Sequence, residues 1–132
     1  MMYFLDTNTC IDFLRGKNTA LWNKFNSVPN DDMKIPTVVK AELLVGALKS
    51  RVLGTLERTE QLLEKFEVIS FTDGMTYTYA RIRADLEKQG TPIGSNDMLI
   101  AATALYCGAA LVTHNTDEFS RVSGLLLEDW NI

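Results

Sequence analysis

Three carboxylates, Asp6, Glu42 and Asp97, stand where apolar runs meet helix-forming sequence. Asp6 closes Met2-Tyr3-Phe4-Leu5, Glu42 interrupts Val38-Val39-Lys40-Ala41-Glu42-Leu43-Leu44-Val45, and Asp97 opens Asp97-Met98-Leu99-Ile100-Ala101-Ala102. A carboxylate drawn out of water is costly unless a partner compensates its charge. No lysine or arginine is written beside all three. The simplest common partner is a divalent cation, which would also be the catalyst. A ligand set of oxygens alone, without histidine or cysteine, selects a hard ion such as Mg2+ or Mn2+ and disfavours zinc.

Each acid also has a plainer reading. Asp6 could be the N-cap of the following helix. Glu42, whose helical neighbours are Val38, Val39 and Val45, could be a boundary residue that snorkels to water. Asp97 could be a first-turn aspartate stabilised by the helix dipole. Three independent caps and boundary acids need not fall in the three most apolar segments, whereas one shared ion explains all of them. A fourth acid is expected from the loop after residues 109–113. Glu118 is the candidate that turns toward the site, with Phe119 anchoring its helix in the core, while Asp117 caps or faces solvent. Thr113 and Asn115 are neutral oxygen donors for a water or a phosphate, or ordinary turn residues.

These residues need elements to hold them. Residues 2–5 read as a buried strand, followed by a helix that stops near Gly16. A helix over 19–25 has Asn18 as its cap and Leu21, Trp22 and Phe25 at helical spacing. Residues 34–36 end a second strand, and Thr37 is a suitable cap for a helix over 38–49. A helix over 55–66 and a strand over 67–70 follow. Residues 73–89 form a long helix ended by Gly90. Ser95 caps a mostly apolar helix over 96–106, which Gly108 stops. Residues 109–113 form a buried strand, 116–119 a short helix and 125–127 a last strand. Strands alternating with helices predict a mainly parallel sheet sandwiched by helices, in which ligands bind at the carboxyl ends of the strands. Asp6 and the 113–118 loop fall there.

The 132 residues fit one domain with one core, and 46% hydrophobic with 23% charged residues is ordinary for a soluble globule. The first five residues are too short for a signal peptide, and no apolar stretch approaches a membrane helix. Cys10 and Cys107 are isolated in apolar company, which suits reduced core thiols in the cytoplasm. A net charge of −4 argues weakly against non-specific nucleic-acid binding, because a metal pocket concentrates negative charge that its cations neutralise. Phosphate contacts could come from Arg15, Lys17, Lys40, Arg81, Arg83 and Lys88, each of which is also a candidate for plain solvated charge. His114 is the sole histidine, a candidate general acid but better read as a turn residue packed beside the site. Trp22, Trp130, Tyr77, Tyr79 and Tyr106 are read as core or interface residues.

Four segments in order carry a family resemblance: Phe4-Leu5-Asp6-Thr7-Asn8, Glu42-Leu43-Leu44-Val45-Gly46, Gly94-Ser95-Asn96-Asp97-Met98-Leu99-Ile100-Ala101-Ala102, and Leu111-Val112-Thr113-His114-Asn115-Thr116-Asp117-Glu118-Phe119. Together with the closing Leu127-Glu128-Asp129-Trp130, they make the whole chain similar to PIN-domain ribonucleases, specifically the VapC toxins of bacterial VapB–VapC pairs. The resemblance implies a PIN-like α/β/α sandwich with Asp6, Glu42 and Asp97 as its acidic core. Glu118 stands where many members have aspartate. Asn115 stands where some have aspartate, which leaves the ligation of a second metal open. Thr7 and Asn8 would support the site. In the mechanism this implies, Asp6, Asp97 and Glu118 hold Mg2+ and Glu42 acts as a ligand or base.

The same resemblance implies cleavage of RNA, in the nearest members initiator tRNA in its anticodon stem-loop. It also implies a homodimer neutralised by a small VapB-like antitoxin, which wraps the toxin and pushes an arginine toward the acids. Exposed apolar residues on the 21–25 and 45–53 segments are candidates for that partner's groove. The rival of another class is a catalytically silent PIN-like module that binds RNA or protein. Intact Asp6, Glu42 and Asp97 argue against it. A phosphatase with an aspartate after its first strand typically carries a second one two residues on, and that position is Asn8.

Overall fold

Five short strands line up in parallel in the computed structural model, which describes residues 1–132. They are β1 (Tyr3–Leu5), β2 (Met33–Pro36), β3 (Glu67–Ile69), β4 (Ala110–Val112) and β5 (Leu126–Glu128), in the order β3-β2-β1-β4-β5. Every neighbouring pair is parallel, so the sheet expected to be mainly parallel is wholly so. Parallel neighbours need crossover connections, and these supply the helices: α1 (Thr7–Arg15), α2 (Thr19–Ser27), α3 (Thr37–Lys49), α4 (Thr55–Lys65), α5 (Met75–Gln89), α6 (Ser95–Tyr106) and α7 (Thr116–Phe119). The result is the α/β/α sandwich.

From β1 the chain winds outward through β2 to β3, then returns to add β4 on the other side of β1 and β5 beyond it. The sheet therefore reverses its direction of growth between β1 and β4. The crevice at the carboxyl ends of two such strands is where open α/β sheets bind ligands. Asp6 follows β1 there, and Thr113 follows β4.

The central strands are buried because both their faces are covered: Phe4, Leu5, Met33, Ile35, Leu111 and Val112 all belong to one core. Helix α6 lies within that core, with residues from Ile100 to Ala104 buried without a break. A helix apolar on all sides belongs inside, and alanines at 101, 102 and 104 let it approach closely. An aromatic group packs against the same core. Phe25 stacks on Phe13 with centroids 4.0 Å apart and meets Trp130 edge-on at 5.6 Å. Phe119 is fully buried and anchors α7 as its sequence position implied. Phe119→Ala is expected to cost about 3–5 kcal/mol, the range for an emptied aromatic site, read as a lower urea midpoint.

Two expected caps are corrected. Helix α3 starts at Thr37 itself, after Pro36, and the Thr37 hydroxyl donates to the Ile69 carbonyl at 3.0 Å. It ties α3 to β3 instead of capping. Helix α6 likewise starts at Ser95 after Gly94, with no side-chain cap. Asn18 does cap α2, accepting from the Leu21 amide at 2.9 Å. The long helix begins at Met75, two residues later than expected. Cys10 is buried, but Cys107 is only half-buried, so one of the two expected core thiols lies at the boundary.

Candidate active site

Asp6 is set by two strands at once. Its backbone N–H donates to the Val112 carbonyl at 3.0 Å, which continues the β1–β4 ladder one residue past the strand. Each carboxylate oxygen then accepts one hydrogen bond and keeps a lone pair free. Oδ1 accepts the Thr7 amide at 2.8 Å, capping α1, and Oδ2 accepts the Thr113 hydroxyl at 2.8 Å. The cap reading and the site reading of Asp6 are therefore both true. At 5% exposure its charge is expensive: burial pushes its pKa up, the bonds from Thr113 and Thr7 pull it back, and the Glu42 charge pushes it up again.

Glu42 sits half-buried on α3 at the edge of the apolar face, with Val39 buried and Val45 exposed on either side of that boundary. Thr7 donates its hydroxyl to Glu42 Oε1 at 2.6 Å, and Asn96 donates Nδ2 to Oε2 at 3.4 Å. Thr7 thus bridges Asp6, through its amide, and Glu42, through its hydroxyl. Asp97, in the first turn of α6, is half-buried and has its pKa pushed up to about 6. Burial is the largest cause, followed by the charges of Asp6, Glu42 and Glu118. That Glu118 acts on Asp97 places the fourth acid in the same electrostatic group. Its Oε2 accepts from Asn115 Nδ2 at 3.2 Å, and the Asn115 amide donates to the Thr113 hydroxyl oxygen at 3.0 Å. Asp117 is exposed.

Of the eight residues singled out for the site, seven therefore join one network and Asn8 does not: it is exposed in the first turn of α1. Asn96 was missed. Its bond to Glu42 spans 54 positions of sequence, and nothing local to Asn96 signals it. His114 is corrected: it is exposed, with Nδ1 2.9 Å from Asp129 Oδ2, and so faces the chain's end instead of packing on the acids. Thr113→Val should cost on the order of 1.5–3 kcal/mol, the scale of a hydrogen bond to a charged group. It should also make Asp6 harder to ionise, so the acid limb of any activity should move to higher pH.

Four carboxylates meet here without a protein cation. The chain's ion pairs are Lys34–Glu67, Arg83–Glu87 and His114–Asp129, none of which touches the site. The donor set is oxygen throughout, which fits a hard divalent ion. No three acidic, histidine or cysteine side chains are close enough to enclose an ion directly. An ion held here would therefore keep several of its waters and take only one or two of the carboxylates directly, as magnesium does.

Beside the acids, a groove of about 520 Å3 leads from Glu42 between α1, α3 and α4, lined among others by Ile11, Leu14, Leu43 and Val52. Val45, Leu48, Val52 and Leu53 are exposed around it, Leu53 at 94%. On α2, by contrast, Leu21 and Phe25 are buried and only Trp22 of the expected trio is presented, at 50%. Trp130 is core, while Tyr77 and Tyr106 are exposed.

The family model for the PIN domain matches residues 3–125. Over 132 residues the chain is 36% identical to the tRNA(fMet)-specific endonuclease VapC of Shigella flexneri, covering 99% of each. Over 133 residues it is 35% identical to Ribonuclease VapC2 of Rickettsia felis, again covering 99% of each. Among solved structures, VapBC2 of Rickettsia felis bound to a promoter DNA fragment superposes with a TM-score of 0.92 at 35% identity, over 98% of this chain and 99% of that one. VapBC-1 from nontypeable Haemophilus influenzae gives 0.90 at 34% identity, with each chain fully covered.

Proposed function

The chain belongs to the PIN-domain family, among the VapC ribonucleases, and on that premise we propose that it is a metal-dependent endoribonuclease toxin held in check by a VapB-like antitoxin. The observation that carries this reading is the meeting of Asp6, Glu42, Asp97 and Glu118 at the sheet's switch point with no protein cation among them. A silent binding module gains nothing from four mutually repelling acids, which cost stability.

The residues that would hold Mg2+, or Mn2+ in its place, directly or through its bound waters, are Asp6, Asp97 and Glu118, with Glu42 beside them. Bound there, the ion would supply Lewis-acid polarisation of a phosphodiester and activation of the attacking water. The chain's own residues do the rest. Asp6 is locked by Thr7 and Thr113, so its oxygens cannot swing away from the cleft. Glu42, held by Thr7 and Asn96, would serve as a further ligand or as the base for the attacking water. Asn115 orients Glu118 through one amide bond. Burial strengthens the Thr113–Asp6 bond in particular, because both residues are shielded from water.

The substrate we propose is RNA, and specifically initiator tRNA cut in its anticodon stem-loop, following the relative of Shigella flexneri named for tRNA(fMet). The antitoxin would occupy the apolar groove that runs from Glu42, so that a guanidinium of its own could reach the carboxylates and satisfy them bidentately. The 132 residues act as one PIN unit, as a homodimer and in toxin–antitoxin hetero-oligomers, in the cytoplasm. No helix is long and apolar enough to cross a membrane. Incubating total tRNA with antitoxin-free protein and Mg2+, then sequencing the fragment ends, tests this. One discrete cut in the anticodon stem-loop is expected; intact tRNA would count against the nuclease, and a cut elsewhere against the tRNA target.

A further inference from the structure

The substrate proposed above is a polyanion that must approach an acidic cleft in a chain of net charge −4. A bound divalent cation would offset part of the cleft's charge but would not hold the strands of RNA on either side of the cut. A second concavity, of about 230 Å3, offers what is missing. It lies between α5 and the turn that follows α7, and Arg81 and Arg121 both line it. Thr78, Gln89 and Ser123 add neutral hydrogen-bonding groups. Neither arginine is in an ion pair, and Asp85, which shares the lining, pairs with neither.

The groove is joined to the cleft by covalent and hydrogen-bonded links. The Arg121 amide donates to the Glu118 carbonyl at 3.1 Å, so the arginine follows directly on the turn that presents the fourth acid. Its guanidinium donates Nη1 to the Pro92 carbonyl at 3.1 Å, at the head of the loop that runs through Gly94 into Asp97. One end of the groove is thus pinned to the two segments that carry Glu118 and Asp97. From Gln89 at that end, α5 leads back to Arg81 over roughly 12 Å of helix. A guanidinium with one N–H engaged still has donors left for a phosphate.

We infer that this groove is a subsite for the sugar–phosphate backbone of single-stranded RNA flanking the scissile bond, with Arg81 and Arg121 on separate phosphates of the strand. Thr78, Gln89 and Ser123 are placed to meet ribose hydroxyls, the group that distinguishes RNA from DNA. Such contacts position a substrate without reading its sequence. The inference rests on the ribonuclease reading of the acidic site.

The test uses the full chain, free of antitoxin and carrying Asp6→Asn so that nothing is cut, with a fluorescein-labelled 12-nucleotide single-stranded RNA of mixed sequence. Adding Arg81→Glu should weaken binding about tenfold and make the dependence of log K on log salt shallower by roughly one unit, as for a lost phosphate contact. Arg81 is exposed on α5, so the melting temperature should not move. Arg121→Gln is the second variant and should act in the same direction. In the cleaving protein, Arg81→Glu should raise KM on tRNA and leave kcat unchanged. Unaltered affinity and salt slope in both variants would overturn the subsite while leaving the nuclease standing. Failure of the parent both to bind and to cut RNA would overturn the two together.

Discussion

Asp6→Asn is expected to lower RNA cleavage by on the order of 10³-fold, the scale of losing a placed electrostatic group, while the protein stays folded. The substitution keeps the shape of the side chain. The amide oxygen can still accept from the Thr7 N–H, so the cap of α1 survives. The amide nitrogen can donate to the Thr113 hydroxyl oxygen, which already accepts from the Asn115 amide and has a second lone pair free. What disappears is the charge, and with it the most deeply buried ligand offered to a cation. Single-turnover cleavage of tRNA, compared with thermal melting of the same preparations, separates the two effects. A variant that melts normally and cleaves at the parental rate would remove Asp6 from the chemistry.

Asp97→Asn should also inactivate the protein, yet in metal-free buffer it should make it more stable. The Asp97 pKa is raised to about 6 from an ordinary value of 3.8 by burial and by the charges of Asp6, Glu42 and Glu118. A raised carboxyl pKa means that the folded state prefers the protonated form. The penalty is therefore absent below the unfolded value, grows as pH climbs from about 4 to about 6, and is complete above that. At neutral pH the parent carries the whole of it, and asparagine carries none. The variant should melt higher than the parent near neutral pH, and the gap should close on acidification. Added Mg2+ should raise the parent's melting temperature and have little effect on the variant, because binding to the folded state alone stabilises it. A variant that melts lower than the parent at neutral pH would mean that Asp97 is not held in a field of like charges.

The parts of this account that were legible in the sequence are those with a local signature. Alternating apolar runs and amphipathic helices fixed the strand and helix order, and Gly16 and Gly90 ended their helices in the left-handed conformation that favours glycine. An aspartate directly after a buried strand, and a glutamate among valines, marked two of the acids. Other features required the fold. The order β3-β2-β1-β4-β5 depends on pairings between distant segments, so the meeting of Asp6 with Thr113 across 107 positions could not be read locally. Thr37 and Ser95 have the chemistry of caps, but tertiary partners and the start of the helix displaced them from that role. His114 lies next to the site in sequence and turns to Asp129 because β5 brings the chain's end alongside β4. Asn96 gave no sign at all, since only the approach of α3 to α6 brings Glu42 within its reach.

Calorimetric titration tests, apart from any RNA, whether the four acids share a divalent cation. Protein stripped with EDTA and dialysed free of the chelator is titrated with Mg2+, and with Mn2+ in parallel. The parent is expected to bind either ion, with loss of binding in Asp6→Asn and in Asp97→Asn. A parent that binds neither ion, or variants that bind as well as the parent, would contradict a shared ion.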